Sequence, residues 1–414
     1  MGLYSSFYAS LSGLNANSQS LAVIGNDLAN LNTIGFKSSS TTFQDLFNTA
    51  MAGVGVQGNG NPMQVGLGTS MSSIMQNFSQ GSFQSSGNVT DMAISGQGFF
   101  MLQSPAGARS YTRAGNFTID QTGNLVDPNG NSVLGWNRVG NALSTNGPTV
   151  PVMLNMGTTS PPVSTANFST TTNLDANAPV GATSLYVVPV QVYDSLGQAH
   201  SIQISYTKTA ANTWSYALST DDAGATVTGG TGTLNFNAAG QLVTPPTTVS
   251  PTITGWTDGA AAMTPTWDLT SAGTPLLTQY AASSATSNTI QNGYAAGSIR
   301  SLAVDQNGVV TGNFTNGQTV QLAQVALSTF ANLNGLAKIG DNSWSETLTS
   351  GPPNVGPADQ GGRGTVRGSQ LELSNVDVAD EFTKLIINQR GYQANSRIVT
   401  TSDQLLQETL NLKQ

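Results

Sequence analysis

Residues 378–406 read VADEFTKLIINQRGYQANSRIVTTSDQLL, with Val378, Leu385, Tyr392, Val399 and Leu406 recurring every seven positions. Apolar side chains at that interval line up along one side of an α-helix and mark helices that wind along one another. The N-terminal end carries the same interval in Phe7, Leu14, Leu21 and Leu28, with Ile24 and Leu31 three residues after the last two. Helices at opposite ends of a chain can pair only if the polypeptide between them loops out and returns. The expected fold is therefore multidomain: coiled-coil-like α-helical termini paired together, with two mainly all-β domains looped out between them. That layout suits a subunit of an assembly better than a pocketed enzyme.

The first helix is expected from about Ser5 to Leu31, with Gly35 as its C-terminal cap. The last one is expected to be capped by Ser374, with Asp377 as its capping-box partner, and Asp380 and Glu381 suit the positive end of its dipole. Neither helix is strong alone. Gly13 and Gly25 each cost about 1 kcal/mol relative to alanine, and Gln389, Ser396 and Asp403 interrupt the C-terminal seam. The ends are thus expected to become ordered only among neighbouring copies. Leu14, Leu21, Ile24, Leu28, Leu31, Phe382, Leu385, Tyr392, Val399 and Leu406 are the candidate residues of that helical assembly core.

Between the ends the pattern is strand and turn. Ile119-Asp120-Gln121-Thr122-Gly123-Asn124-Leu125 resembles Phe236-Asn237-Ala238-Ala239-Gly240-Gln241-Leu242 and Val304-Asp305-Gln306-Asn307-Gly308-Val309-Val310, and more loosely Tyr193-Asp194-Ser195-Leu196-Gly197. Asp or Asn opens each turn, where its side chain can bond the nearby backbone, and Gly three residues on accepts positive φ. Four independent hairpins with the same turn chemistry explain this better than duplication. Pro/Thr-rich sequence near residue 147 and Ser/Thr/Asn-rich sequence at 283–292 suggest domain edges. The expected organisation is a terminal helical core (1–32 with 372–414), connecting segments (33–75 with 351–371), an inner β domain (76–147 with 289–350) and an inserted outer β domain (148–288). Within the first connector, Gly53–Asn61 reads as flexible linker.

Composition narrows the function. The chain has 414 residues, of which only 8% are charged, against about a quarter in ordinary soluble domains. Its 13 Lys and Arg are scattered, and residues 151–290 hold only Lys208, so nucleic acid is not an expected partner, since phosphate binding needs clustered cations. With no cysteine, disulfides and thiolate metal sites are excluded. No apolar run approaches the roughly 18 residues of a membrane span, so membrane insertion is not expected. The first cationic side chain is Lys37, which leaves no positive region for a cleavable secretion signal. His200, the single histidine, sits beside a hairpin and reads as a surface or strand residue. Asp221-Asp222 reads as a solvated turn. No catalytic residue, cofactor or metal is expected.

The run Leu28-Ala29-Asn30-Leu31-Asn32-Thr33-Ile34-Gly35-Phe36-Lys37 resembles the N-terminal motif of the bacterial flagellar rod and hook family. Asp91-Met92-Ala93-Ile94-Ser95-Gly96-Gln97-Gly98-Phe99-Phe100, followed by Tyr111-Thr112-Arg113-Ala114-Gly115-Asn116-Phe117, is similar to the family's strand motif. Ser374-Asn375-Val376-Asp377 and Asn388-Gln389-Arg390-Gly391-Tyr392 resemble its closing helix. By this resemblance Asn30, Gly35, Phe36, Lys37, Ser374, Asn375, Asp377, Gln389, Arg390 and Tyr392 are the family-motif positions. The large insertion at 148–288, where Val190 to His200 resembles a hook-type strand pair, favours a hook-type member over the shorter rod type. The resemblance implies a homopolymeric, curved tube in the extracellular flagellum. It further implies export by the type III apparatus, and rod, hook-cap and hook–filament junction proteins as partners. Rival readings are a distal rod or junction subunit and, from another class, a secreted β-rich adhesin.

Overall fold

The computed structural model describes residues 2–46, 48–50, 64–140, 142–155, 157, 159–243 and 247–411. Gly53–Asn61 lies outside the described residues. The chain divides into two compact units, one of Met1–Met156, Leu302–Gly312 and Val320–Gln414, the other of Gly157–Ser301 and Asn313–Thr319. Both terminal helices, α1 (Gly2–Ala29) and α2 (Val378–Asn411), belong to the first. The division falls some residues later than the composition shifts near 147 and at 283–292, and it groups the helical ends with the inner β region.

The reason lies in the segments read as connectors, which are paired strands. Ser39–Asp45 runs antiparallel to Thr69–Gln76, and this hairpin lies on α1, where Ser12 Oγ accepts from Thr69 N at 3.0 Å and the Ser20 and Thr41 hydroxyls meet at 3.1 Å. Farther along, Thr365–Gly368 pairs with Met92–Ser95 and Gln370–Glu372 with Phe83–Ser85. Runs of Thr and Ser with a Phe suit a pleated, partly exposed surface, which a reading based on apolar alternation misses.

In the inner β region, strand Phe99–Gln103 pairs with Arg109–Thr112 on one side and with Ser132–Val139 on the other. Its apolar run, Phe99-Phe100-Met101-Leu102, is buried on both faces. Phe100 and Leu102 join Met92, Ile94, Phe117, Val133 and Val325, while Phe99 and Met101 join Tyr111, Leu134, Trp136 and Trp344. A strand covered on both sides reads as a continuous apolar stretch instead of an alternating one.

The second unit has a core of its own. Tyr186–Tyr193, Ala199–Ala210, Thr213–Thr220 and Thr231–Asn235 form an antiparallel meander. Asn167–Asp175 pairs in parallel with Thr266–Asp268 and Leu277–Tyr280, and antiparallel with Ala285–Gln291. Val188, Val190, Val192, Ile202, Ile204, Trp214, Phe168 and Trp267 belong to one apolar cluster. Strict alternation along these strands, with one face buried, fixes their register.

The four Asp/Asn–Gly turns share one geometry. Each opening side-chain oxygen accepts from the backbone N–H groups two and four residues on: Asp120 from Thr122 and Asn124, Asp194 from Leu196 and Gln198, Asn237 from Ala239 and Gln241, and Asp305 from Asn307 and Val309. Asp127, unremarked in the sequence, does the same for Asn129 and Asn131.

Both helix ends differ from expectation. The first helix stops at Ala29, because Asn30 folds back to the Asn26 carbonyl through Nδ2 at 2.9 Å and accepts from Thr33 Oγ1 at 3.0 Å, a local competition that ends helices. Leu31 thus lies beyond it. The cap of the last helix is Asp377, whose Oδ1 accepts from Ala379 N at 2.8 Å and Asp380 N at 3.2 Å. Ser374 bonds Val376 N at 3.4 Å before the helix starts. An acceptor one residue before the first helical turn reaches the free N–H groups there; one four residues before it does not.

Candidate functional site: the helical pair and its buried latch

The two helices run antiparallel, since Gly13 meets Asn395 and Asn17 meets Gly391. A Cβ on Gly13 would lie 2.6 Å from Asn395 Nδ2, so the backbones approach at this point through the absence of a side chain. Among the described residues, those of α1 that are buried are Ser10, Gly13, Ala16, Ser20, Ile24 and Asp27, and those of α2 are Glu381 and Ser402. Ser10 Oγ donates to the Ser6 carbonyl and Ser402 Oγ to that of Ile398, both at 2.8 Å, so these small polar groups are satisfied within their own helices.

This seam is not the one the heptad interval suggests. Of the candidate core residues only Ile24 is buried. Leu14, Leu21, Leu28, Leu31, Leu385, Val399 and Leu406 are half-buried, and Phe382 and Tyr392 are exposed. The Gly–Asn approaches set the rotation of each helix and turn much of the apolar stripe to the rim. Phe382 is 51% exposed, Ile386 55%, Ile387 64% and Ile398 44%, and on α1 Tyr8 and Leu11 are exposed too. Tyr8, Leu11, Leu14, Leu46, Leu67 and Tyr392 line one surface groove.

Where both terminal segments enter the inner β region, charged side chains form a buried latch. Lys37 Nζ lies 2.7 Å from Glu372 Oε1 with both side chains fully buried, and Arg113 Nη1 lies 3.4 Å from Glu372 Oε2. Lys37 also donates to the Ser79 carbonyl at 2.6 Å, Gly81 N donates to Glu372 Oε1 at 3.0 Å, and Arg113 Nη2 donates to the Gly96 carbonyl at 2.7 Å. Burial pushes Lys37 below its ordinary value, opposed by the Glu372 carboxylate beside it, and Arg113 is lowered by the same cause. Asn375 completes the latch, accepting from Ser38 N at 2.8 Å and donating to the Asn77 carbonyl at 2.7 Å. Gly35 (φ 67°) donates to the Glu372 carbonyl at 2.7 Å. A Cβ there would fall 2.6 Å from the backbone of Arg113 and Ala114. Phe36 is buried under the Lys338 ammonium, 4.6 Å from its ring centroid.

The structure thus gathers Gly35, Phe36, Lys37 and Asn375 with Arg113, and leaves Gln389, Arg390 and Tyr392 exposed on α2. Sequence reasoning missed Glu372, the centre of the latch, and Asp27. A lone Glu just ahead of a helix, in a chain with so few charges, was the available signal. Asp27 accepts from Ser39 N at 2.8 Å through Oδ2, while its Oδ1 and Glu381 Oε2 have no hydrogen-bond partner. Burial, and then the negative Glu381 nearby, outweigh the Ser39 bond and raise the Asp27 carboxyl to about 6.

Comparison with known proteins follows the same layout. Residues 7–37 match the family described as flagella basal body rod protein, 93–178 the flagellar hook protein FlgE/F/G D1 domain, 165–294 the flagellar basal body protein FlaE D2 domain, and 367–412 the flagellar basal body rod FlgEFG protein C-terminal. The chain is 35% identical to the flagellar hook protein FlgE of Borreliella burgdorferi, covering 99% of both chains. It is 35% identical to that of Salmonella typhimurium, covering 99% of this chain and 100% of the other. The fold resembles the crystal structure of Helicobacter pylori flagellar hook protein FlgE2, at a TM-score of 0.51 and 16% identity, over 70% of this chain and 100% of that one.

Proposed function

The chain belongs to the flagellar hook protein FlgE family, whose members are structural subunits of the hook, and on that premise we propose that its helical pair is the polymerising element. Copies stack through α1 and α2 into a curved, flexible tube outside the cell that passes torque from rod to filament. Rod, cap and junction proteins are its neighbours, and the subunits leave the cell through the type III export apparatus. The observation that carries this reading is the apolar surface left on the helices: Phe382, Ile386, Ile387 and Ile398 stand exposed on α2, a helix interrupted by Gly391. Burying one such side chain is worth about 1.5–3 kcal/mol, which is repeated at every copy in a tube. The half-buried Leu14, Leu21, Leu385, Val399 and Leu406 then complete their burial between copies.

Ile387→Asp tests it. Since Ile387 is 64% exposed, the variant should keep the circular dichroism and melting of the parent while forming no tubes in negative-stain microscopy of concentrated protein. Tubes of normal appearance from the variant would overturn the proposal.

A further inference from the structure

His200 lies where three turns of the outer unit converge. Asp194 and His200 flank the turn between Tyr186–Tyr193 and Ala199–Ala210, Asp222 follows Thr213–Thr220, and Asp258 follows Thr252–Thr254. His200 Nε2 is 2.9 Å from Asp194 Oδ2 and 3.9 Å from Asp258 Oδ2, while Nδ1 faces Asp222 Oδ2 at 3.8 Å. The three ligand atoms of His200, Asp194 and Asp258 lie within 4.8 Å of one another. Trp256 closes one face of the imidazole, with ring centroids 4.0 Å apart.

Two features separate this cluster from an ordinary turn. The first is charge. Three carboxylates surround one imidazole, yet the unit's cations are only Lys208 and Arg300, and Lys208 Nζ is held by the carbonyls of Ala176 and Ala178. The second is the division of the ring nitrogens. A metal-ligating imidazole commonly turns its other N–H towards a carboxylate, and Asp222 stands on that side, fixed by Gly224 N at 2.9 Å and Thr257 Oγ1 at 2.8 Å. Ligands bound about 2.0–2.2 Å from a zinc ion lie roughly 3–3.5 Å from each other, between the two Nε2 distances. One nitrogen with carboxylate oxygens suits zinc-class ions better than calcium or magnesium, which take oxygen alone.

We propose that His200 Nε2, Asp194 and Asp258 bind a divalent zinc-class cation, with Asp222 orienting the imidazole through Nδ1. The ion replaces the Nε2–H···Asp194 hydrogen bond, the ring proton passes to Nδ1, and water fills the remaining position beside Asp258, the most exposed ligand. Three turns are then tied together at one end of the unit. This goes against the metal-free expectation from sequence, where the ligands are scattered over residues 194–258.

The test uses the full chain, stripped with chelator and titrated with zinc chloride. Because the protein has one histidine, its imidazole signals in proton–carbon NMR report the site alone. One zinc per chain should bind, with those signals shifted. Asp258→Asn should weaken binding at least about tenfold and Asp222→Asn by about tenfold, both keeping the parent melting profile without metal. Absence of zinc uptake, uptake with unmoved imidazole signals, unchanged affinity in Asp258→Asn, or equal affinity for calcium would each overturn the proposal.

Discussion

At the residue scale, two cations and a backbone N–H converge on Glu372 away from water. Breaking a buried pair by removing one partner leaves the other charge uncompensated, at about 3–5 kcal/mol. Glu372→Gln should therefore lower the stability of the first unit by about 3 kcal/mol in urea unfolding, and adding Lys37→Met should recover part of it. Asp27 works in the opposite direction. Its carboxyl titrates near 6 in the folded protein against 3.8 for the ordinary group, so the folded state holds the proton more tightly. The contribution of Asp27 to stability is then greatest in acid, falls as pH rises from about 4 to about 6, and is flat beyond. Asp27→Asn keeps an acceptor for Ser39 N and removes that fall. It should stabilise the helical pair by about 2 kcal/mol at pH 8 and by little at pH 4, read from amide exchange in α1.

At the element scale, the two interior glycines of α1 have opposite meanings. A Cβ on Gly25 meets nothing within 4 Å, whereas one on Gly13 meets the Asn395 amide. Gly25→Ala should thus slow amide exchange across α1 by the equivalent of about 0.5–1 kcal/mol, while Gly13→Ala should gain less or lose, since Asn395 must move aside. The heptad interval that reveals the helices does not reveal this. Leu14, Leu21 and Leu28 share one stripe, but the faces that meet are chosen by the Gly13–Asn395 and Asn17–Gly391 approaches, between residues nearly a whole chain apart. The start of α2 was legible as an Asp/Ser cluster, yet which acceptor caps it depends on a few ångströms of backbone path.

At the scale of the molecule, two separate cores mean that damage to one should stay there. Trp214 is fully buried in the outer unit and donates through Nε1 to Gln279 at 3.2 Å. Trp214→Ala should lower the calorimetric transition of that unit, at a cost of about 3–5 kcal/mol, and leave the transition of the helical unit unmoved. Sparse charge fits the same division. With 8% charged residues, and Lys37, Arg113 and Glu372 held in the buried latch, the surface of the chain is largely neutral.

Sequence by itself determined the local devices: the helical ends, four of the five Asx–Gly turns, and the alternating strands of the inserted β region. Each depends on residues within a few positions of one another, so no knowledge of the chain's path is needed. Only the tertiary structure decided which helix faces meet, that Lys37 finds Glu372 across 335 positions, and that His200 faces three aspartates from separate turns. Those pairings are set by where the backbone returns, and sequence spacing carries no record of it.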